Sequence, residues 1–230
     1  MASLLRRLNP VRRAQPDVAR SWREDVFWVI DVESTGLNLR RDKIIAYGAV
    51  PIRRGRIQMA ETTYGLVGIT DDVPEASTCI HYIRTQDLAA APPLEDVVRQ
   101  LDSMIGDTPI IAHCAVIERT LLARAYRTAG LELRNPFVDT APLATAALDE
   151  EVEGGYISLE YAATALGVPV HAPHHALGDA ITTANVFLAV ASRIERDSAP
   201  NPVSTAALTE ASTPPTPQRR TFEWPYPRPL

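Results

Sequence analysis

Two carboxylates stand on alternate positions in the stretch DVESTGL, Asp31 to Leu37, directly behind the apolar run VFWVI. Alternate residues of a strand share a face, so Asp31 and Glu33 form one acidic patch while Val32 points the other way. Polar residues at a solvent-facing strand end are the ordinary explanation of a lone Asp-x-Glu. Here the preceding run is apolar on both faces, which places the strand centrally in a sheet, where unpartnered carboxylates repel one another and are costly to desolvate. A bound divalent cation removes that cost, and Thr35-Gly36 lets the backbone turn close beside it. Two cations need more oxygen ligands than one such pair supplies, so further acids must come from later elements. Two candidates stand out. Glu118 lies in the first turns of the helix after TPIIAHC, where taken alone it reads first as an exposed helical acid. Asp179 lies in HHALGDA, close behind His174 and His175.

The elements that must position these residues follow from periodicity. VFWVIDVE reads as a buried strand, and KIIAYGAVPI with RIQMAETTYGLV reads as a hairpin turning at Arg54-Gly55, so three antiparallel strands come first. PLEDVVRQLDSMI has the three-and-four spacing of a helix, TPIIAHC is a short buried strand, and AVIERTLLARAYRTAG is a helix closed by Gly130. FVDT is a brief strand leading into PLATAAL, Ser158 is placed to cap SLEYAATALGV, and a last helix starts at about His175. Strands first, then alternating helix and strand, predict an α/β fold: a mixed sheet with helices on its faces.

The chain has 230 residues, 46% hydrophobic and 22% charged, enough for one good-sized domain with tails. Its formal net charge of -5 is not that of a basic nucleic-acid-binding domain. Phosphate would have to be met locally, and a shallow salt dependence of binding is expected. Cys79 and Cys114 stand in no metal-ligand spacing and suggest no disulfide framework. No apolar stretch approaches a membrane span, the N-terminus lacks a signal-peptide core, and a cytoplasmic location is expected. Residues 1–24, with arginine pairs broken by Pro10 and Pro16, read as a basic arm, and 25–197 as the folded domain. Residues 198–230, rich in Pro, Ser and Thr, read as disordered. Their final TFEWPYPRPL, with Gln218 and Phe222, reads as a candidate docking peptide for a sliding clamp.

The ordered set DVESTGL, AHCAVIERTLL and HHALGDA resembles the three exonuclease motifs of the DnaQ-like DEDDh family, which includes the proofreading epsilon subunit of bacterial DNA polymerase III. The resemblance runs from Phe27 to Ser192 and takes in CIHYI and AAAPPLEDV, similar to the family's IHGI and AP elements. It implies a ribonuclease H-like fold with a five-stranded mixed sheet and helices on both faces. It also implies 3′-to-5′ removal of nucleotides with two Mg²⁺ or Mn²⁺ ions. Carried over by position, Asp31, Glu33 and Asp179 hold the first ion, Asp31 also touches the second, and Glu118 takes the place of the second-motif acid. His174 becomes the general base, whereas helical spacing alone nominates His175, four residues before Asp179. Thr35, Gly36 and Leu37 line the terminal nucleotide, with Leu37 against its base, and His81 approaches the same nucleotide. The sequence departs from the common HNAxFD by reading HCAVIE, with Cys114 and Glu118 substituted, and it carries Tyr82 where Gly usually follows His81. The implied substrate is a single-stranded 3′ end, of DNA in proofreading or repair, with a polymerase or clamp as possible partner. RNA trimming and a non-cleaving, end-binding module are the alternatives.

Overall fold

The computed structural model describes residues 21–152 and 155–213. The basic segment 1–20 and the candidate docking peptide TFEWPYPRPL lie outside the described residues.

Strand β1, Val26–Ser34, pairs antiparallel with β2, Ile44–Arg53, in a register that sets Asp31 opposite Gly48 and Glu33 opposite Ala46. The turn after β2 has both Arg54 and Gly55 at positive φ, the hairpin turn whose twist matches that of the flanking strands. The return strand is not continuous. It divides into β3, Arg56–Ile57, and β4, Thr63–Leu66, with a 3₁₀ turn at Met59–Glu61 between them. Pro51 accounts for the break: its carbonyl takes the Gln58 N–H at 2.9 Å, but it has no N–H to offer the outer edge, so the ladder cannot run through. The expected five-stranded sheet therefore has six strands in five places, β3 and β4 sharing the outer edge of β2.

Next come α1, Glu75–His81, and α2, Leu94–Ile105, the first of which periodicity did not reveal. Strand β5, Ile110–Ala112, lies parallel to β1; after α3, Val116–Thr128, strand β6, Phe137–Asp139, lies parallel to β5. Helices α4, Thr140–Ala147, α5, Leu159–Leu166, α6, Ala176–Asp197, and α7, Thr205–Ala211, complete the chain. The sheet order is β3-β2-β1-β5-β6. Gly130 and Ser158 sit at the caps the sequence predicts, Gly130 at positive φ just past α3 and the Ser158 Oγ accepting from the Tyr161 N–H.

Strand parity divides the core. Phe27 and Val29 face a cluster built with α4, α5 and α6, whereas Trp28, Ile30 and Val32 face one built with α2 and α3. Asp31 and Glu33 continue the first row, so the strand's own alternation turns them toward α6. Helices thus cover both faces, and β1 runs on to Ser34 past the C-terminal ends of its parallel neighbours β5 and β6, carrying Asp31 and Glu33 beyond them.

Both expected boundaries move outward. Trp22 is fully buried, packs edge-on against Phe187 with ring centroids 5.4 Å apart, and donates its backbone N–H to Val203 O at 2.9 Å. Past Ser198 the chain is not structureless: Val203 and Leu208 are buried in the α6-side core, and the Ser204 Oγ caps α7. Thr205 Oγ1 donates to Asp25 Oδ2 at 2.6 Å. Composition misleads because two apolar anchors suffice to hold a short polar helix when a groove already exists to receive them.

Candidate active site

The first turn of α6 passes directly over β2. A Cβ on Gly48 would come within 2.4 Å of the Ala176 backbone, so only glycine opposite Asp31 lets the helix approach this closely. Gly178 acts likewise on the neighbouring layer, since a Cβ there would meet His171 O at 2.4 Å; this seats the 171–174 loop against the helix. The two contacts bring Asp179 onto the β1 pair. Carboxylate oxygens of Asp31, Glu33 and Asp179 all lie within 4.8 Å of one another. Glu118, from the first turn of α3, is 4% exposed and stands outside that trio, yet it is the largest neighbouring charge acting on Asp31.

The electrostatic cost is visible in each group. Burial, then the charges of Glu118, Asp179 and Glu33, pushes Asp31 well above the usual carboxylate range. Burial lifts Glu33 to about 7, and burial with the Glu33 charge lifts Asp179 to about 7. Glu118 is driven well up, chiefly by burial. Among the described residues Glu118 Oε2 and Asp179 Oδ1 are buried without a hydrogen-bond partner. Buried, mutually repelling, oxygen-only donors with unfilled lone pairs fit a hard divalent cation, and the cluster can hold one.

The two histidines separate. His174 is half-buried at positive φ, and its backbone N–H donates to Asp179 Oδ2 at 2.9 Å, tying it to the acid cluster. His175 is exposed, occupies the cap position of α6, and stacks on Tyr64 with centroids 4.4 Å apart. His81, 7% exposed, accepts the Ile83 N–H on Nδ1 at 3.1 Å, which leaves the proton on Nε2, an atom with no partner among the described residues. Burial lowers its basicity against the opposing pull of the Ser34 backbone, with the nearby His174 adding to the effect of burial.

Thr35 is buried and serves the loop: its Oγ1 donates to Asp42 Oδ1 at 3.3 Å, and its carbonyl accepts from Ser77 Oγ at 2.7 Å. Gly36 O accepts from Ser34 Oγ, and Leu37 stands 52% exposed at the loop's tip. His113 is a structural pin, with Nε2 donating to Ile157 O at 3.1 Å and Nδ1 2.9 Å from Thr140 Oγ1; burial depresses it to about 4. Burial and the charges of Asp139 and Glu118 push the Cys114 thiol upward, so it is a packing group and not a nucleophile.

Sequence reasoning missed three neighbours of the site. Tyr64 pairs with Gly48, itself opposite Asp31, and the Glu33 charge reaches its hydroxyl. Glu160 of α5 adds negative charge to Asp31 and Asp179. Asp139 accepts from the N–H groups of Cys114, Ala115 and Ala141, fixing the turn from which α3 carries Glu118. An Asp closing a strand and opening a helix, in FVDTAPL, was a readable signal of such a cap.

The exonuclease family profile matches residues 28–187, and the chain belongs to that family. It is 32% identical over 163 residues to the DNA polymerase III subunit epsilon-like protein of Rhodobacter capsulatus, covering 70% of this chain and 23% of that protein. To the PolC-type DNA polymerase III of Thermotoga maritima it is 31% identical over 188 residues, 81% of this chain and 13% of the other. The chain thus spans less than a quarter of either relative. Its fold is similar to that of Escherichia coli exonuclease I in complex with a dT13 oligonucleotide, at a TM-score of 0.65 and 17% identity over 75% of this chain and 42% of that one. It is also similar to exonuclease X in complex with 5′ overhanging duplex DNA, at 0.62 and 20% identity over 81% and 99%. Among the described residues no helix is long and apolar enough to cross a membrane.

Proposed function

We propose that the chain hydrolyses the terminal phosphodiester at the 3′ end of a DNA strand, releasing nucleotides one at a time. One observation carries this reading: Asp31, Glu33 and Asp179 converge within 4.8 Å while His174 is fastened to Asp179 through its own backbone. Two divalent cations, Mg²⁺ or Mn²⁺, held by these three acids with Glu118 and Asp31 toward the second, would neutralise the carboxylates and stabilise charge developing on the phosphoryl oxygens. In this reading His174 accepts a proton from the attacking water. The water oxygen bonds to phosphorus, the bond from phosphorus to the preceding 3′ oxygen breaks, and a 5′-mononucleotide leaves. Thr35 and Gly36 shape the pocket wall, the exposed Leu37 meets the terminal base, and the His81 Nε2–H is a donor for the same nucleotide.

Support for DNA over RNA comes from the relatives, named as DNA polymerase III proteins, and from the neighbours' oligonucleotide and duplex DNA partners. Association with a polymerase would follow from the same kinship. The test is side-by-side digestion of 3′-labelled DNA and RNA strands of several lengths with Mg²⁺ and with Mn²⁺. Stepwise loss of 3′ nucleotides from DNA is expected. Preferential RNA trimming would make the chain an exoribonuclease, and binding without cleavage would make it an end-binding module.

A further inference from the structure

The site opens beside a cleft that the negative whole-chain charge conceals. A shallow cavity of about 550 Å³ lies between the loop 37–43 and the outer face of α3, walled by Leu39, Arg40, Arg119, Arg124 and Arg127. Arg124 builds it: its Nη1 donates to Leu39 O at 2.6 Å and Asp42 O at 2.9 Å, clamping the loop to the helix. Arg40, Arg41, Arg119 and Arg127 are exposed, and among the described residues none of them is in an ion pair. Elsewhere among the described residues Arg23, Arg53, Arg84, Arg134 and Arg196 are each drawn onto a carboxylate, while Arg54, Arg56 and Arg193 are exposed and unpaired without lining this cavity. The acids that could quench the cleft are turned away. Glu118, the sole acid of α3, is buried toward Asp31, and Asp42 spends its oxygens on the Asn38 N–H and Thr35 Oγ1 inside the loop.

The geometry points to this cleft as the track for the phosphate backbone of the strand whose 3′ end the acid cluster takes, an assignment that rests on the nuclease reading above. Continuity favours a nucleic acid over an acidic peptide. Arg119 follows Glu118 directly, and the loop runs from Leu37 at the site's lip to Arg40 on the cleft wall, so a strand anchored at its end meets the guanidinium groups next. Arg119 and Arg127 are eight residues apart on one face, about 12 Å along the helix, a span that reaches successive phosphates and not one. Unpaired guanidinium forks suit phosphate oxygens, and a local cationic cleft can concentrate a polyanion that the net charge alone would repel. The shallow salt dependence expected from net charge is then replaced by a steeper one.

The test uses full-length protein carrying Arg119→Ala and Arg127→Ala together; Arg124 is kept because it holds the loop. Fluorescent single-stranded DNA is titrated in EDTA over a salt series, and Mg²⁺-dependent hydrolysis is compared on the same strand and on the p-nitrophenyl ester of thymidine 5′-monophosphate, which has no backbone beyond the site. Two lost contacts should flatten the slope of log affinity against log salt by roughly 1.4, at about 0.7 per phosphate for a single strand. KM on the long strand should rise roughly tenfold with kcat unchanged, and turnover of the nucleotide ester should match wild type. An unchanged slope and KM would overturn the track and leave an acidic protein surface as the occupant. Failure of the wild type to cleave either substrate would instead sink the nuclease reading, while the titration would still decide the track.

Discussion

Asp31 and Asp139 stand at the same end of the same sheet, each behind an apolar strand, yet the fold treats them in opposite ways. Asp139 is met by three backbone N–H groups, and burial raises it only to about 6 against their pull. Asp31 has no such donors: burial and then the charges of Glu118, Asp179 and Glu33 all push it the same way, well above the ordinary carboxylate range. Position and residue type are shared, so what separates a structural carboxylate from a ligand-seeking one is whether donors or further acids converge on it. The first organises the helix start that delivers Glu118, and the second belongs to a group of acids that could hold a cation.

Substitution puts this contrast at its largest. Asp31→Asn should reduce strand cleavage by roughly three orders of magnitude or more, because charge stabilisation at the phosphoryl group rests on it. In EDTA the same change should raise the melting temperature, as one member of a repelling set is neutralised. Asp139→Ala should do the reverse in stability, lowering it by about 3 kcal/mol as three N–H groups lose their acceptor. Like signs for the two in EDTA melting would erase the distinction. The pH dependence sharpens it further. Glu33 and Asp179 take up protons more readily folded than unfolded, so the metal-free fold is favoured below about pH 4 and loses that advantage as pH rises through about 7. Melting in EDTA should therefore fall between pH 5 and 8, and divalent cation should restore it.

The paired histidines extend the comparison from carboxylates to bases. His174 is joined to the acid cluster and His175 is occupied by Tyr64. His174→Ala should lose roughly 10²- to 10⁴-fold in kcat while metal binding, read by calorimetry, persists. His175→Ala should change kcat little. A reversed pair of results would mean that the base is the exposed ring.

Much of this was legible because local rules sufficed. Strand parity alone turned Asp31 and Glu33 to one face, and the three spaced motifs brought Glu118, His174 and Asp179 into the account. What escaped depends on distant partners. Tyr64 joins the site only through a register running Asp31, Gly48, Tyr64 across three strands. The arginine cleft needs α3 and a loop eighty residues away to be seen together, which net charge averages out. The order of the segment after Ser198 rests on the core contacts of Val203 and Leu208, which composition does not reveal. Truncation before Ser198 should consequently cost stability, not leave it unchanged. Leu208→Ala alone should remove about 2–5 kcal/mol, on the order of 5–15 °C in melting temperature, with little change in kcat at low temperature. An unshifted melting curve would mean that α7 contributes nothing to the fold.

The smallest expected effect concerns strain, which divides the molecule along the same line. Tyr82, Cys114 and His174 all hold positive φ around the acid cluster, where a side chain costs about 1–2 kcal/mol. Arg54 holds it too, but at a hairpin tip far along β2 from Asp31's partner Gly48, where the turn type demands it. Tyr82 ends α1 with its N–H on Thr78 O at 2.8 Å, and the residue is 79% exposed, so little packing offsets the cost. Tyr82→Gly and Arg54→Gly should each raise the melting temperature by about 2–4 °C, the equivalent of about 1 kcal/mol in a chain this size. They should diverge in catalysis. Arg54→Gly should leave KM for single-stranded DNA unchanged, whereas Tyr82→Gly should raise it several-fold, since a bare aromatic beside His81 is a stacking surface for a base. Equal stabilisation with equal, unaltered KM would show that the strain at Tyr82 is as incidental to the site as that at Arg54.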